Sequence, residues 1–206
     1  MPPAETNTFR FGAIILAAGA STRMGEPKQL LPLAGRPLLL RAVDAALASS
    51  AWPVVVVLGA HAEKIRPLLA RLPVLVVENP AWPEGMASSI RTGVAILQQF
   101  SRSLDAALVA LCDQPAFNTA VIERLVATQR ATSRSIVASR YLGRNAAPAL
   151  FLRPHFPALT ALTGEEGARS LLNASPDLVA TIDAPELAQD LDTPSDYHAA
   201  QYLSPK

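Results

Sequence analysis

Cysteine is almost absent from this 206-residue chain, Cys112 being the single one. One thiol excludes an internal disulfide framework and any zinc site built on cysteines. An excess of charge is missing too, since 18 lysines and arginines face 17 aspartates and glutamates and leave a net charge of +1. A protein that neutralises many nucleic-acid phosphates needs a clear surplus of cations, so nucleic acid is not an expected partner. No apolar run approaches the roughly 18 residues that span a bilayer. The N-terminal MPPAETNTFR is polar, with no signal-like apolar stretch behind it. No membrane partner and a cytoplasmic location are therefore expected. Charged residues are only 17% of the chain, below the ~25% of ordinary domains, while 50% are hydrophobic. That balance excludes bulk disorder and implies a core covering both faces of a sheet.

What the chain does have is an alternation of short apolar runs with longer amphipathic ones. Strands are predicted at Phe11 to Ala17, Val54 to Leu58, Val74 to Val77 and Ala106 to Leu111. Helices are predicted at Arg36 to Ser49, His61 to Arg71, Ala87 to Phe100 and Asn118 to Thr132. Such alternation predicts an α/β domain, doubly wound, with a mainly parallel sheet and helices on both faces. After Ser135 the rhythm changes. Ser135 to Arg140, Pro148 to Leu152 and Leu178 to Ile182 read as strands, and YLGRNAA between the first two joins a hairpin or carries a longer loop. Pro154 to Leu162, Gly167 to Asn173 and Pro194 to Tyr202 read as short helices. With no low-complexity linker and no repeat, the expectation is a flexible tail over 1–10 and one domain over 11–206.

The first strand runs directly into Ala18-Gly19-Ala20-Ser21-Thr22-Arg23-Met24-Gly25, then Glu26-Pro27-Lys28-Gln29. Small residues at the carboxyl end of a parallel strand let the main chain approach a ligand and aim N–H groups at phosphates. Ligands bind at that edge of open α/β sheets. Arg23 and Lys28 add cations suited to a triphosphate, although a surface loop with two solvated cations has the same composition. Neither GxGxxG nor GxxxxGK[ST] is present, so the two commonest phosphate-loop patterns are excluded.

The fourth strand ends in Leu111-Cys112-Asp113-Gln114-Pro115, which puts Asp113 at the same edge. A carboxylate beside phosphates suits Mg²⁺, which takes one or two carboxylates and completes its shell with phosphate oxygens and water. Capping of the following turn is an equal role for an Asp in that position. After the third strand, Met86-Ala87-Ser88-Ser89 opens a helix whose hydroxyls and N–H groups can receive an anion or a base edge, or simply cap the helix. Cys112 reads as buried core, and His61, His155 and His198 lack metal-ligand spacing. Trp82 stands in the same loop, either stacked on a ring or packed within the loop.

LAAGASTRMGEPKQLLPLAGRPLL, starting at Leu16, resembles the signature loop of the MobA-like small nucleotidyltransferases, and most closely that of the molybdenum cofactor cytidylyltransferases. Guanylyltransferase relatives usually carry LAGG where this chain has Leu16-Ala17-Ala18-Gly19. CDQP resembles the family's CDxP, and DLDTPSDY its D-x-D-T-P-x-D-Y. The resemblance implies a Rossmann-like nucleotidyltransferase fold. It implies that Leu16, Ala17, Ala18, Gly19, Ala20, Ser21, Thr22, Ser88 and Ser89 meet the nucleotide, and that Arg23 and Lys28 contact its phosphates. Asp113 and Asp192 would hold Mg²⁺, with Arg23, Lys28 and Asp113 as the catalytic set; Asp192 and Thr193 also fit a helix start before Pro194.

APALF and LTGEEGAR resemble the family's GxPxLF and LxGDxGAR, which imply an acceptor pocket made by Pro148, Phe151, Gly164, Glu165, Gly167 and Arg169. Three positions depart from the pattern: Ala87 for a Ser, Ala146 or Ala147 for a Gly, and Glu165 for an Asp. The implied reaction is Mg²⁺-dependent transfer of CMP from CTP to the terminal phosphate of molybdopterin, with loss of pyrophosphate and a molybdenum hydroxylase apoenzyme as partner. A different base such as GTP, a different acceptor such as a sugar phosphate, and a non-catalytic carrier of the mature cofactor are the alternatives.

Overall fold

The computed structural model describes residues 9–173 and 177–203. Residues 1–8 of the expected tail lie outside that range, while Phe9 packs on the core and Arg10 exchanges main-chain hydrogen bonds with the Asp105 region.

In chain order the elements are β1 (Phe11–Ala17), β2 (Pro32–Leu33), β3 (Arg36–Pro37), α1 (Leu38–Leu47), β4 (Val54–Leu58), α2 (Ala62–Leu69), β5 (Leu75–Glu78) and α3 (Met86–Phe100). There follow β6 (Ala106–Leu111), α4 (Thr119–Thr132), β7 (Ile136–Tyr141), β8 (Arg144–Leu152), α5 (Phe156–Thr160), α6 (Arg169–Leu172), β9 (Val179–Asp183) and α7 (Pro194–Leu203). Seven strands form one sheet in the order β5-β4-β1-β6-β8-β7-β9. The pairs β1–β4, β1–β6, β4–β5 and β7–β9 are parallel, and β8 runs antiparallel to both β6 and β7. The sheet is therefore mainly parallel, as the alternation predicts.

Strand side chains alternate between two cores with period two. Ala13, Ile15, Val54, Val56, Leu108 and Ala110 face the layer that carries α1, α2 and α4. Ile14, Leu16, Val55, Val57, Ala107 and Val109 face the layer that carries α3, α5 and α6. Runs that are apolar at every position bury both faces, which is why β1, β4 and β6 show no polar stripe. The helix α3 lies close on β1 at Gly93, where a Cβ would come within 2.4 Å of Ile14 Cγ2.

Three segments depart in kind from the sequence reading, the other ends agreeing to within two residues. The predicted helix at Arg36 starts instead at Leu38, because Pro32–Leu33 and Arg36–Pro37 pair as a small hairpin around Ala34 and Gly35, both at positive φ. Proline disfavours helix at the residue before it, which keeps Arg36 extended. The YLGRNAA segment is a tight hairpin turning at Leu142 and Gly143, so β8 begins at Arg144 rather than Pro148. The predicted helix over Pro154 to Leu162 splits into a 3₁₀ turn at Arg153–His155 and α5.

Strand order sets where a ligand can enter. The chain leaves β1 for β4 and β5 on one side, then returns to β6 on the other. That reversal opens a crevice at the carboxyl ends of β1 and β6, the usual ligand position in doubly wound sheets.

Candidate active site

Two loops rise into this crevice, one after β1 and one after β6. The first is held open by its own side chains rather than by regular structure. Gln29, only 1% exposed, donates from Nε2 to the carbonyls of Ala17 (3.1 Å) and Gly19 (2.9 Å). His61 Nε2 lies 2.9 Å from the Ala20 carbonyl. Ser21, at φ 54°, turns the chain, and its Oγ accepts from the Lys28 main-chain N–H at 3.1 Å. The Ser21 hydroxyl thus serves the loop itself.

A cavity of about 400 Å³ lies against this loop. Leu16, Ala17, Ala18, Gly19, Ala20, Thr22, Lys28, Ser89 and Asp113 line it, and Trp82 lines it too. Ser21 and Ser88 do not line it. Ser88 is buried, donates to the Gly85 carbonyl at 2.8 Å and accepts from Asn79 Nδ2 at 2.8 Å, so it braces the start of α3.

The charged centre is compact. Lys28 Nζ lies 2.5 Å from Asp113 Oδ2 and 2.7 Å from Asp192 Oδ1. Arg23, whose side chain is 70% exposed at the rim, reaches Asp192 Oδ2 at 2.7 Å. Burial by itself would lower the Lys28 pKa, but the charges and hydrogen bonds of Asp113 and Asp192 outweigh it and raise it. Burial opposes ionisation of Asp192, yet Lys28 and Arg23 hold its pKa below the usual carboxylate range.

Asp192 arrives from 79 residues downstream of Asp113 because its segment is docked on the first loop. Leu191 is fully buried with Met24, Leu31, Leu33 and Leu38 in a small separate core, and Tyr197 Oη donates to the Pro32 carbonyl at 2.6 Å. The capping role at this segment falls to the Thr193–Asp196 pair: Asp196 accepts from the Thr193 N–H at 2.9 Å and from its hydroxyl at 2.8 Å. Asp192 is left free to face Lys28.

The donor set fits a hard divalent cation. Both groups are carboxylates, and Asp113 Oδ1 is buried with no hydrogen-bond partner. Among the described residues no group of three or more ligating side chains gathers. Two carboxylates are what a magnesium-like ion needs when phosphate oxygens complete its shell.

A second cavity of about 330 Å³ lies on the other side of Leu16, Met86, Leu111 and Glu165, which border both. Phe151, Glu165 and Arg169 line it, whereas Pro148, Gly164 and Gly167 lie outside its lining. Pro148 offers its carbonyl to Ser139 Oγ (2.8 Å), and Gly164 its own to the Ala87 N–H (3.2 Å). Gly85, at φ 107°, lets these segments meet, since a Cβ there would stand 2.7 Å from the Gly164 carbonyl. Arg91 clasps the same junction, donating to the Leu162 carbonyl and to Glu84, both at 2.7 Å.

Several lining residues were not singled out from sequence: Tyr141, Arg144, Asn145 and Asp190. Asp190 sits two positions before Asp192 in a motif already noted, which was the available signal. Burial, and then the nearby Asp113 charge, push its carboxyl up to about 6. Cys112 is buried at the edge of the 400 Å³ cavity, and burial pushes its thiol up to about 12.

A family profile described as the MobA-like NTP transferase domain matches residues 13–180. The chain belongs to that family of nucleotidyltransferases. Nicotine blue oxidoreductase of Paenarthrobacter nicotinovorans is 34% identical over 190 residues, covering 87% of this chain and 91% of that protein. Purine catabolism protein PucB of Bacillus subtilis (strain 168) is 31% identical over 199 residues, covering 89% of this chain and 92% of that one. The crystal structure of Rv0371c from Mycobacterium tuberculosis H37Rv superimposes with a TM-score of 0.81 at 28% identity, over 94% of this chain and 98% of the other. A manganese complex of Rv0371c superimposes at 0.77 and 26% identity, over 95% of this chain and all of the other. Among the described residues, no helix is long and apolar enough to cross a membrane.

Proposed function

We propose that this nucleotidyltransferase moves CMP from CTP to the terminal phosphate of a molybdopterin-type acceptor, in the cytoplasm. The observation that carries the reading is the convergence of Lys28 on Asp113 and Asp192, beside a cavity that shares a wall with a second one. Donor and acceptor then lie on two sides of Leu111 and Met86, with the α-phosphate at the seam. An acceptor phosphate oxygen attacks the α-phosphorus in line, forming a new P–O bond as the bond to pyrophosphate breaks.

Lys28 and Arg23 hold the β- and γ-phosphates and stabilise the charge that builds as pyrophosphate departs. Main-chain groups from Ala18 to Thr22 cradle the phosphates, with Leu16, Ala17 and Ser89 completing the nucleotide side. Ser21 and Ser88 act one step back, by fixing the loop and the start of α3. Phe151, Glu165 and Arg169 face the acceptor, while Pro148, Gly164 and Gly167 shape its walls. Asp113 and Asp192 are the residues to hold Mg²⁺, which when bound supplies Lewis-acid polarisation of the α-phosphate. The manganese complex of Rv0371c supports the use of a divalent ion. The name of PucB places that relative in purine catabolism, and xanthine is a purine. That supports a hydroxylase of the xanthine dehydrogenase class as the recipient of the product.

Pyrophosphate release from CTP, GTP and ATP, measured in parallel with Mg²⁺ and with or without molybdopterin, tests the reading. Acceptor-dependent release from CTP alone is expected. No release from any nucleotide ends it. The name of the Paenarthrobacter relative favours a second reading, reduction of a conjugated heterocycle in the 330 Å³ cavity. Bleaching of nicotine blue by the protein with NADH or NADPH as reductant, without acceptor-dependent pyrophosphate release, would establish that reading instead.

A further inference from the structure

Asp113 and Asp192 do not merely lie near each other: each directs one oxygen at the same nitrogen. Lys28 Nζ stands 2.5 Å from Asp113 Oδ2 and 2.7 Å from Asp192 Oδ1, between the groups that a shared cation would have to bridge. Arg23 takes the remaining oxygen of Asp192 at 2.7 Å. Of the four carboxylate oxygens only Asp113 Oδ1 is without a partner. An ammonium group and a divalent ion cannot occupy one place. Where Lys28 now sits, metal binding to both carboxylates requires it to leave.

The root of the lysine is fixed by the main chain, whereas its tip is held by the two carboxylates alone. Its main-chain N–H is held by Ser21 Oγ, and the next residue, Gln29, is locked to the carbonyls of Ala17 and Gly19. The stem has four rotatable carbons and already lines the cavity, so rotation about them can carry the ammonium into it once a stronger anion is present. A triphosphate there offers the ammonium more negative charge than two carboxylates do.

From this geometry we infer that Lys28 excludes the divalent cation from the Asp113–Asp192 pair until a polyphosphate draws the ammonium away. The inference rests on the nucleotidyl-transfer reading and adds an order to it: the metal enters with the nucleotide, not before. Linkage makes the effect reciprocal, so nucleotide and metal each strengthen the other's binding. Removing the ammonium leaves two facing carboxylates without their shared cation, and such a pair attracts a replacement.

The test is binding of Mn²⁺ alone, read as the fall in free Mn²⁺ by electron paramagnetic resonance, with no nucleotide present. Lys28→Met and Lys28→Gln should each bind one Mn²⁺ at least about tenfold more tightly than the wild type, within the usual range of coupling between sites. Circular dichroism identifies a misfolded variant, and the two substitutions differ in polarity so that one folded variant suffices. Mn²⁺ affinity no higher in the folded variants than in the wild type overturns the exclusion. Equilibrium dialysis of α,β-methylene CTP, GTP and ATP with Mn²⁺ keeps the two ideas apart. If none of the analogues binds the wild type, the nucleotidyl-transfer reading fails; if one binds while the variants gain nothing for Mn²⁺ alone, only the exclusion fails.

Discussion

The main-chain N–H of Leu191 meets the carbonyl of Asp113 at 3.1 Å. This hydrogen bond joins two segments distant in sequence directly beside both carboxylates that face Lys28. The spacing of Asp113 and Asp192 is therefore set by backbone, and side-chain changes at either one should leave the other in place.

Asp113→Asn is expected to cut turnover by well over tenfold, a barrier increase above about 1.4 kcal/mol, while the melting temperature changes little. Steady-state pyrophosphate release and a thermal melt check this. A loss smaller than tenfold removes Asp113 from the catalytic set.

On the proposed function the Lys28 ammonium meets the β- and γ-phosphates, which do not change covalently until they leave, so Lys28→Ala should weaken CTP binding more than it slows the bound complex. Isothermal titration with α,β-methylene CTP and Mg²⁺ reads the affinity. Unchanged binding excludes Lys28 from the nucleotide site.

Gln29→Ala deletes a buried hydrogen bond to the Ala17 carbonyl and a part-buried one to the Gly19 carbonyl. A destabilisation of about 1–3 kcal/mol is expected from leaving those carbonyls without donors, with a raised KM for CTP. Gln29→Glu keeps the shape but loses the donor, so a normal KM in that variant contradicts the bracing role.

Gly85→Ala puts a Cβ within 2.7 Å of the Gly164 carbonyl and forces a residue with a side chain into φ 107°. Strain of that kind costs about 1–3 kcal/mol. The segment around Glu165, which borders both cavities, should shift, raising the KM for CTP and for the acceptor alike. Unchanged KM values for both would show that this junction does not shape the site.

Asp190 has a folded pKa raised to about 6 from 3.8, mainly by burial. Its neutral form suits the fold, so its contribution is fully present below pH 3.8 and is lost as pH rises through 6. In EDTA, Asp190→Asn should melt a few degrees higher than wild type at pH 8, about 1–2 kcal/mol after allowance for partial exposure, and no higher at pH 4. A gain of equal size at both pH values would rule out ionisation as its source.

The frame of this fold was legible because its signal is local. Continuous apolar runs at Phe11–Ala17, Val54–Leu58 and Ala106–Leu111, too short for core helices and alternating with amphipathic stretches, read as strands buried on both faces. Lys28, Asp113 and Asp192 stood out as a set through motif order, and the structure brings all three to one point. The residues that brace the site were not legible. Gln29, Asn79 and Arg91 act on main-chain carbonyls or buried hydroxyls supplied by other segments, and no spacing in the sequence announces such partners. The hairpin at Pro32–Leu33 and Arg36–Pro37 was hidden by its shortness, its two-residue strands being too brief for any periodicity.

The antiparallel β8 has a consequence for diversification. Inserted between β6 and β7, it begins at a turn beside Arg144 and Asn145 and carries Ala149 and Phe151 to the wall of the 330 Å³ cavity. None of these residues borders the phosphate loop's cavity. On the proposed function, a lineage can therefore lengthen or rewrite this hairpin, exchanging one recipient molecule for another, while the machinery that handles the triphosphate is inherited intact.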